Sequence, residues 1–349
     1  MISATASWAF ESGEAQIGMN GSLVVRILLL GVLVSGCQQG GPSPSPPPTA
    51  PNRQGSIPSG LAKVSPADDS WQPTIASGWS RPVPVGAPID TAGAEDSPFV
   101  APDGLTLYFF FTPDASIPVQ GQVSDGVTGI WASRAGDGGW LEPDRVVLAG
   151  PGQAHLDGCP VVTGDRMYFC SVRAGNLREI DIYVATLANG VWTEPKNAGP
   201  WFNQAAEVGE MHITADGREL YFASRRAGGA GGFDLWFSRA EGTGWSRPEN
   251  LGSDVNTPGD ENRPFVTRDG KELWFDSTSR KGRPGPAIYR CLRASDGSWG
   301  DCREIVSSFA GEPTLSGDGK TLYFVHHYYS ADLKRMIESD IYVALRQAG

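Results

Sequence analysis

Three features of the sequence predict an all-β fold. Its 45 glycines and 27 prolines separate short apolar runs, none of which sustains a helical period. A hairpin signal, two alternating runs around an Asp-Gly or Gly-Asp turn, recurs five times. A tryptophan strand also recurs five times, at Trp79, Trp140, Trp192, Trp245 and Trp299, with spacings of 61, 52, 53 and 54 residues. Units of about fifty residues and four strands match propeller blades, so the expected fold is a single five-bladed β-propeller of four-stranded antiparallel blades.

The first elements lie outside that fold. From Met19, the expected start, Arg26 precedes an apolar run, Ile27–Val34, too short to span a membrane. The run ends in Val34-Ser35-Gly36-Cys37, which resembles the lipobox of bacterial lipoproteins. That resemblance implies a signal peptide over 1–36, lipidation of Cys37 and, with Gln38 following, sorting to the outer membrane. The alternative is an ordinary secretory signal. "GPSPSPPPTAPNRQG" then reads as an extended tether, because proline fixes φ and removes donors, and residues 37–70 are assigned to it. The globular part is expected over 71–349.

Within it the hairpins are "SPFVAPDGLTLYF", "CPVVTGDRMYF", "EMHITADGRELYF", "RPFVTRDGKELWF" and "EPTLSGDGKTLYF". Third strands follow as "GIWASRA", "DIYVATL", "DLWFSRA", "AIYRCLR" and "DIYVALR". The Trp strands close each unit, except that the first, "GWSRP", has no hairpin before it and the last unit has no Trp strand after it. The N-terminal strand is therefore expected to complete the last blade, closing the ring and removing an open edge.

The stretch from Leu220 to Phe275, with its "DG.ELYF", "R.GG.GG.DLW", "GWS.P.NLG" and "VNTPGDE" marks, resembles the WD40-like propeller repeat of bacterial envelope proteins and of the Tol system. The resemblance extends over most of residues 78–346, though the first two units lack "GGAGG". It implies a binding or scaffolding role more often than catalysis.

With Cys37 assigned to lipid, four cysteines remain. Cys159 and Cys170 are symmetric about Gly164-Asp165, and Cys291 and Cys302 about Asp296-Gly297. Facing positions of an antiparallel hairpin approach closely enough to bridge, so Cys159–Cys170 and Cys291–Cys302 are the expected disulfides, with free thiols the alternative.

Chemistry is sparser. No nucleophile elbow occurs, and His155, His212, His326 and His327 show no zinc spacing. A net charge of −11 argues against nucleic acid as a partner. The acids at the starts of the innermost strands are the candidate site: Glu95, Asp157, Glu210, Glu261 and Glu312. Against the anchors Pro98, Pro160, Met211, Pro264 and Pro313 they stand at offsets −3 or −1, and odd offsets share a face of an extended strand. Gathered at the channel mouth they would suit Ca²⁺ or a polyhydroxylated ligand, or paired acid–base work on a sugar.

The resulting expectation is a monomeric, lipid-anchored envelope propeller. It would bind a protein, peptide or glycan without catalysis and meet the membrane only through its anchor. The alternative is a glycoside-acting enzyme using the mouth carboxylates.

Overall fold

The computed structural model describes residues 52–123, 125–150, 152–203, 208–278 and 285–347. The signal segment, Cys37 and Gln38 lie outside the described residues. The described chain is all-β apart from three four-residue helices, and its strands fall into five consecutive units. Their first strands are Ala94–Val100, His155–Thr163, Met211–Ile213, Glu261–Val266 and Ala310–Leu315. Each pairs antiparallel with the next strand across the expected turn, and that strand with a third.

The fourth strand is broken in two in the first three units. In the third, Gly244–Trp245 and Glu249–Asn250 flank Pro248 and pair with the same neighbour. Pro143 and Pro195 interrupt the first and second units likewise. Proline has no N–H to give the ladder. In the fourth unit Cys302 stands where the others carry proline, and its outer strand runs unbroken from Trp299 to Ser307.

The isolated "GWSRP" pairs with the last unit. Trp79 bridges Arg346, and Val83 and Pro84 lie opposite Val343 and Tyr342. Just upstream, Thr74–Ile75 adds a fifth strand to the fourth unit, against Ser307 and Val306.

The tryptophans link the units. Trp140 of the first packs on Tyr323 of the fifth, and Trp192 of the second on Tyr108 of the first. Trp245 joins the cluster around Tyr168, Trp299 meets Tyr221, and Trp79 meets Trp274 edge-on at 5.7 Å. Arg293 and Arg346, at matching positions, reach back to Glu219 and Glu272 of the preceding unit. The glycine-rich loop "RAGGAGG" is a close approach between units, for a Cβ on Gly231 would lie 2.1 Å from the Pro258 carbonyl oxygen.

The expected tether ends earlier than residue 70. Arg53 is buried, Lys63 pairs with Glu338 at 2.5 Å and with Asp340, and Asp69 pairs with His326 at 2.8 Å. Residues 52–75 form a strap held to the first, fourth and fifth units by basic and aromatic side chains, which the proline-rich composition did not reveal.

Candidate functional site

The site begins with a backbone irregularity. In four units the inner strand slips register where it meets its proline: between Asp96 and Phe99, Gly158 and Val161, Asn262 and Phe265, and Gly311 and Thr314. The residue before each proline is left-handed, with φ of 49° at Ser97, 53° at Cys159, 54° at Arg263 and 58° at Glu312. Such a backbone costs a non-glycine residue about 1–2 kcal/mol. Bulges of this kind re-aim a side chain. Here they turn Ser97, Cys159, Arg263 and Glu312 toward a common cavity, joined by Glu210 from the third unit, where Met211 replaces proline.

The cavity is about 50 Å³ and is lined by the five anchor residues and their predecessors. It has room for a few waters, whereas pockets for drug-sized ligands run to several hundred Å³. Its floor is a cluster of tilted rings, His212 lying 4.6 Å from Phe265 and 6.4 Å from Phe99 between centroids. Burial pushes the His212 imidazole down to about 4, so it is neutral at pH 7.

Arg263 dominates the electrostatics. Its Nε is 2.7 Å from Glu312 Oε1 and 3.0 Å from Glu210 Oε2, and its Nη1 is 3.1 Å from Asp276 Oδ2. Burial pulls its pKa down, but Glu210, Glu312 and Asp276 together carry it well above the ordinary value. Burial likewise raises Glu210, Glu312 and Asp276, against the pull of Arg263. The second oxygen of Glu312 accepts the Ser97 N–H at 2.5 Å.

The predicted acids thus divide. Glu210 and Glu312 meet across the cavity. Glu95, Asp157 and Glu261 do not join them, because a left-handed residue at −1 resets the alternation that placed odd offsets on one face. Glu95 accepts from Thr91 N and Oγ1 at 2.9 and 2.6 Å, and Glu261 from Thr257 N and Oγ1 at 2.8 and 2.5 Å. Asp157 accepts from Ser171 at 2.7 Å and pairs with Arg173 at 2.6 Å. Each secures its own strand start.

This arrangement does not fit Ca²⁺, which takes six to eight oxygen ligands. The acids that converge share one guanidinium, and the others are held apart. Among the described residues two groups of three bring donor atoms within 4.8 Å: Asp96, Glu312 and His327, and Asp90, Glu95 and Asp340. Arg53 and Lys63 already bring positive charge to the second.

Cys291–Cys302 forms the expected disulfide. Cys159 and Cys170 are free thiols, a correction to the expected pairing. The bulge sets Gly158, not Cys159, opposite Cys170. The Cys159 thiol donates to Glu210 Oε1 at 3.7 Å, and the adjoining Cys170 thiol together with burial holds its pKa well above the usual thiol range.

Sequence reasoning missed Arg263 and Asp276. The signal for Arg263 was present: in the column Ser97, Cys159, Glu210, Arg263, Glu312 it is the one cation among neighbours that include two acids.

No family model and no curated protein matches the chain. Among solved structures it is similar to TolB from Acinetobacter baumannii, at 15% identity and a TM-score of 0.39, over 74% of this chain and 56% of that one. It therefore spans just over half of that protein's length. A protein of unknown function from Dyadobacter fermentans aligns at 13% identity and a TM-score of 0.48, over 78% of this chain and 100% of that one. The α-L-arabinofuranosidase PaAbf62A from Podospora anserina aligns at 12% and 0.47, over 76% and 95%. TolB and the arabinofuranosidase are propeller folds, and likeness at this level does not carry function.

Proposed function

We propose that the chain is a closed five-bladed β-propeller, tethered to the cell envelope through lipid on Cys37, that binds a protein, peptide or glycan partner without catalysis. Closure is supported by the order of neighbours. The inner strands contact one another around the sequence of units and back from Ala310–Leu315 to Ala94–Val100. The tryptophans repeat that order.

The observation that carries the non-catalytic reading is the position of Arg263. A glycosidase needs two carboxyl groups facing one another across the scissile bond. Glu210 and Glu312 both contact Arg263 Nε, so the guanidinium occupies the space a sugar's reacting carbon would need.

The test takes purified protein through a panel of aryl glycosides, furanosides included. No hydrolysis above buffer is expected. Turnover that disappears in Glu210→Gln and Glu312→Gln would establish the enzyme reading instead. Anchoring is tested separately by labelling the expressed full chain with radioactive palmitate; label should enter the protein and be lost in Cys37→Ser.

A further inference from the structure

The second and third units each stack an arginine of their own on two aromatic rings. Arg173 lies over Phe169 and Tyr183, at 5.5 and 4.7 Å from the centroids, and pairs with Asp157. Arg226 lies over Phe222 and Trp236 at 4.7 and 5.4 Å. Aligning "MYFCSVR" with "LYFFFTP" sets Pro113 of the first unit where Arg173 stands in the second. Yet the first unit keeps the rest of the arrangement: Phe109 for Phe169, Trp131 for Tyr183 and Glu95 for Asp157.

The vacancy is filled from outside the unit. Arg53 of the strap lies 5.1 Å from the centroids of Phe109 and Phe111 and 5.7 Å from that of Trp131. Its Nη1 is 3.5 Å from Glu95 Oε1, and Nη2 donates to the Pro88 carbonyl. The side chain is only 2% exposed. It is delivered by the short helix Arg53–Ser56, capped by Asn52, with Ile57 packed on the apolar cluster to which these rings belong.

We propose that the first unit contains a guanidinium-binding pocket for which Arg53 is the built-in ligand. An arginine side chain of a partner is the class of ligand that would take its place when the strap lifts. The cage consists of rings, a carboxylate and a carbonyl of the blade and its approach, and the cation belongs to a separate segment, so site and ligand are separable. A planar fork suits this cage better than an ammonium, because it can stack on rings while donating at its edge. The inference goes beyond the binding reading above and stands independently of the axial cavity.

Chemical rescue tests it in the full chain. The pH is held near 8, above the pKa of about 7 to which burial raises Glu95. Arg53→Ala should melt lower than wild type. Millimolar N-ethylguanidinium should raise its Tm by about 2–4 °C, and N-ethylammonium at equal ionic strength should not. Arg53→Ala combined with Glu95→Gln should not respond. Equal effects of the two cations, or the same rise in the double variant, would overturn the proposal. Should Arg53→Ala not fold, wild-type protein decides the matter by limited chymotrypsin digestion. N-ethylguanidinium at about 100 mM, enough to compete with a tethered ligand, should speed cleavage after the exposed Leu61 at least twofold relative to N-ethylammonium. Unchanged cleavage would overturn it.

Discussion

Glu312 and Glu261 are both buried glutamates near the starts of inner strands, and they meet opposite fates. Glu261 turns back on its own loop, accepting from Thr257 and from Ser277 at 2.8 Å, all within one unit. Glu312, two positions nearer its proline, is left-handed and reaches Arg263 of one unit and the Ser97 amide of another. Glu261 makes its strand start self-sufficient, whereas Glu312 depends on the neighbouring units. A single residue's φ separates these two.

Breaking the axis should cost most. Arg263→Met leaves Glu210, Glu312 and Asp276 buried without their cation, and denaturant unfolding should show a loss of about 3–5 kcal/mol. A loss below about 1 kcal/mol would mean that the carboxyl groups share protons instead of needing the guanidinium.

The pH responses should oppose each other. His212 has a folded pKa of about 4, below its ordinary value, so its contribution is complete above about 6.5 and is lost as pH falls. By pH 4 wild type should have lost about 3 kcal/mol more than His212→Phe. Glu95, raised to about 7 by burial, works the other way. Its contribution is complete below about 4.5 and disappears as pH rises through 7, a swing of roughly 3 kcal/mol that Glu95→Gln should flatten. Stability curves of the two variants that change with pH in the same direction would undo the distinction between axis and rim.

Smaller effects sharpen it. Glu261→Gln removes an acceptor from a buried loop and should cost about 1–3 kcal/mol by thermal or denaturant unfolding. Glu210→Gln should cost less than about 1 kcal/mol, since Glu312 and Asp276 still hold Arg263 and burial already disfavours the Glu210 charge. A reversal of that order would mean that Arg263 needs Glu210 individually and that Glu312 and Asp276 do not suffice to hold it.

Much of the architecture was legible because local chemistry dictates it. Asp-Gly turns between alternating apolar residues form hairpins wherever they occur, and the tryptophan spacing carried the unit length. The pairing of Trp79 with the last unit followed from counting strands. The bulges were harder to see. Proline before an alternating run marks an anchor in the sequence, but its missing N–H slips the register at Ser97, Cys159, Arg263 and Glu312. That slip undid both the five-acid ring and the Cys159–Cys170 facing pair. Arg53 was hidden for another reason. Its pocket is assembled from Glu95, Phe109 and Trp131, and only the absence of an arginine at Pro113 marks the need for it. A proline-rich composition says nothing about one arginine with a long-range destination.

The first described residues wind through the places where the chain finishes. Val64 N and Lys63 are held by Glu338, Thr74–Ile75 by the outer strand of the fourth unit, and Trp79 to Pro84 by the last strand. The described chain is buckled like a belt, with its first segments laid over its last strand. Trimming Arg335–Leu345 would remove one strand and with it the partners of Lys63, Val64, Val83 and Pro84. A protease that nicks either end therefore unfastens both, and fraying at one end is opposed by everything that secures the other.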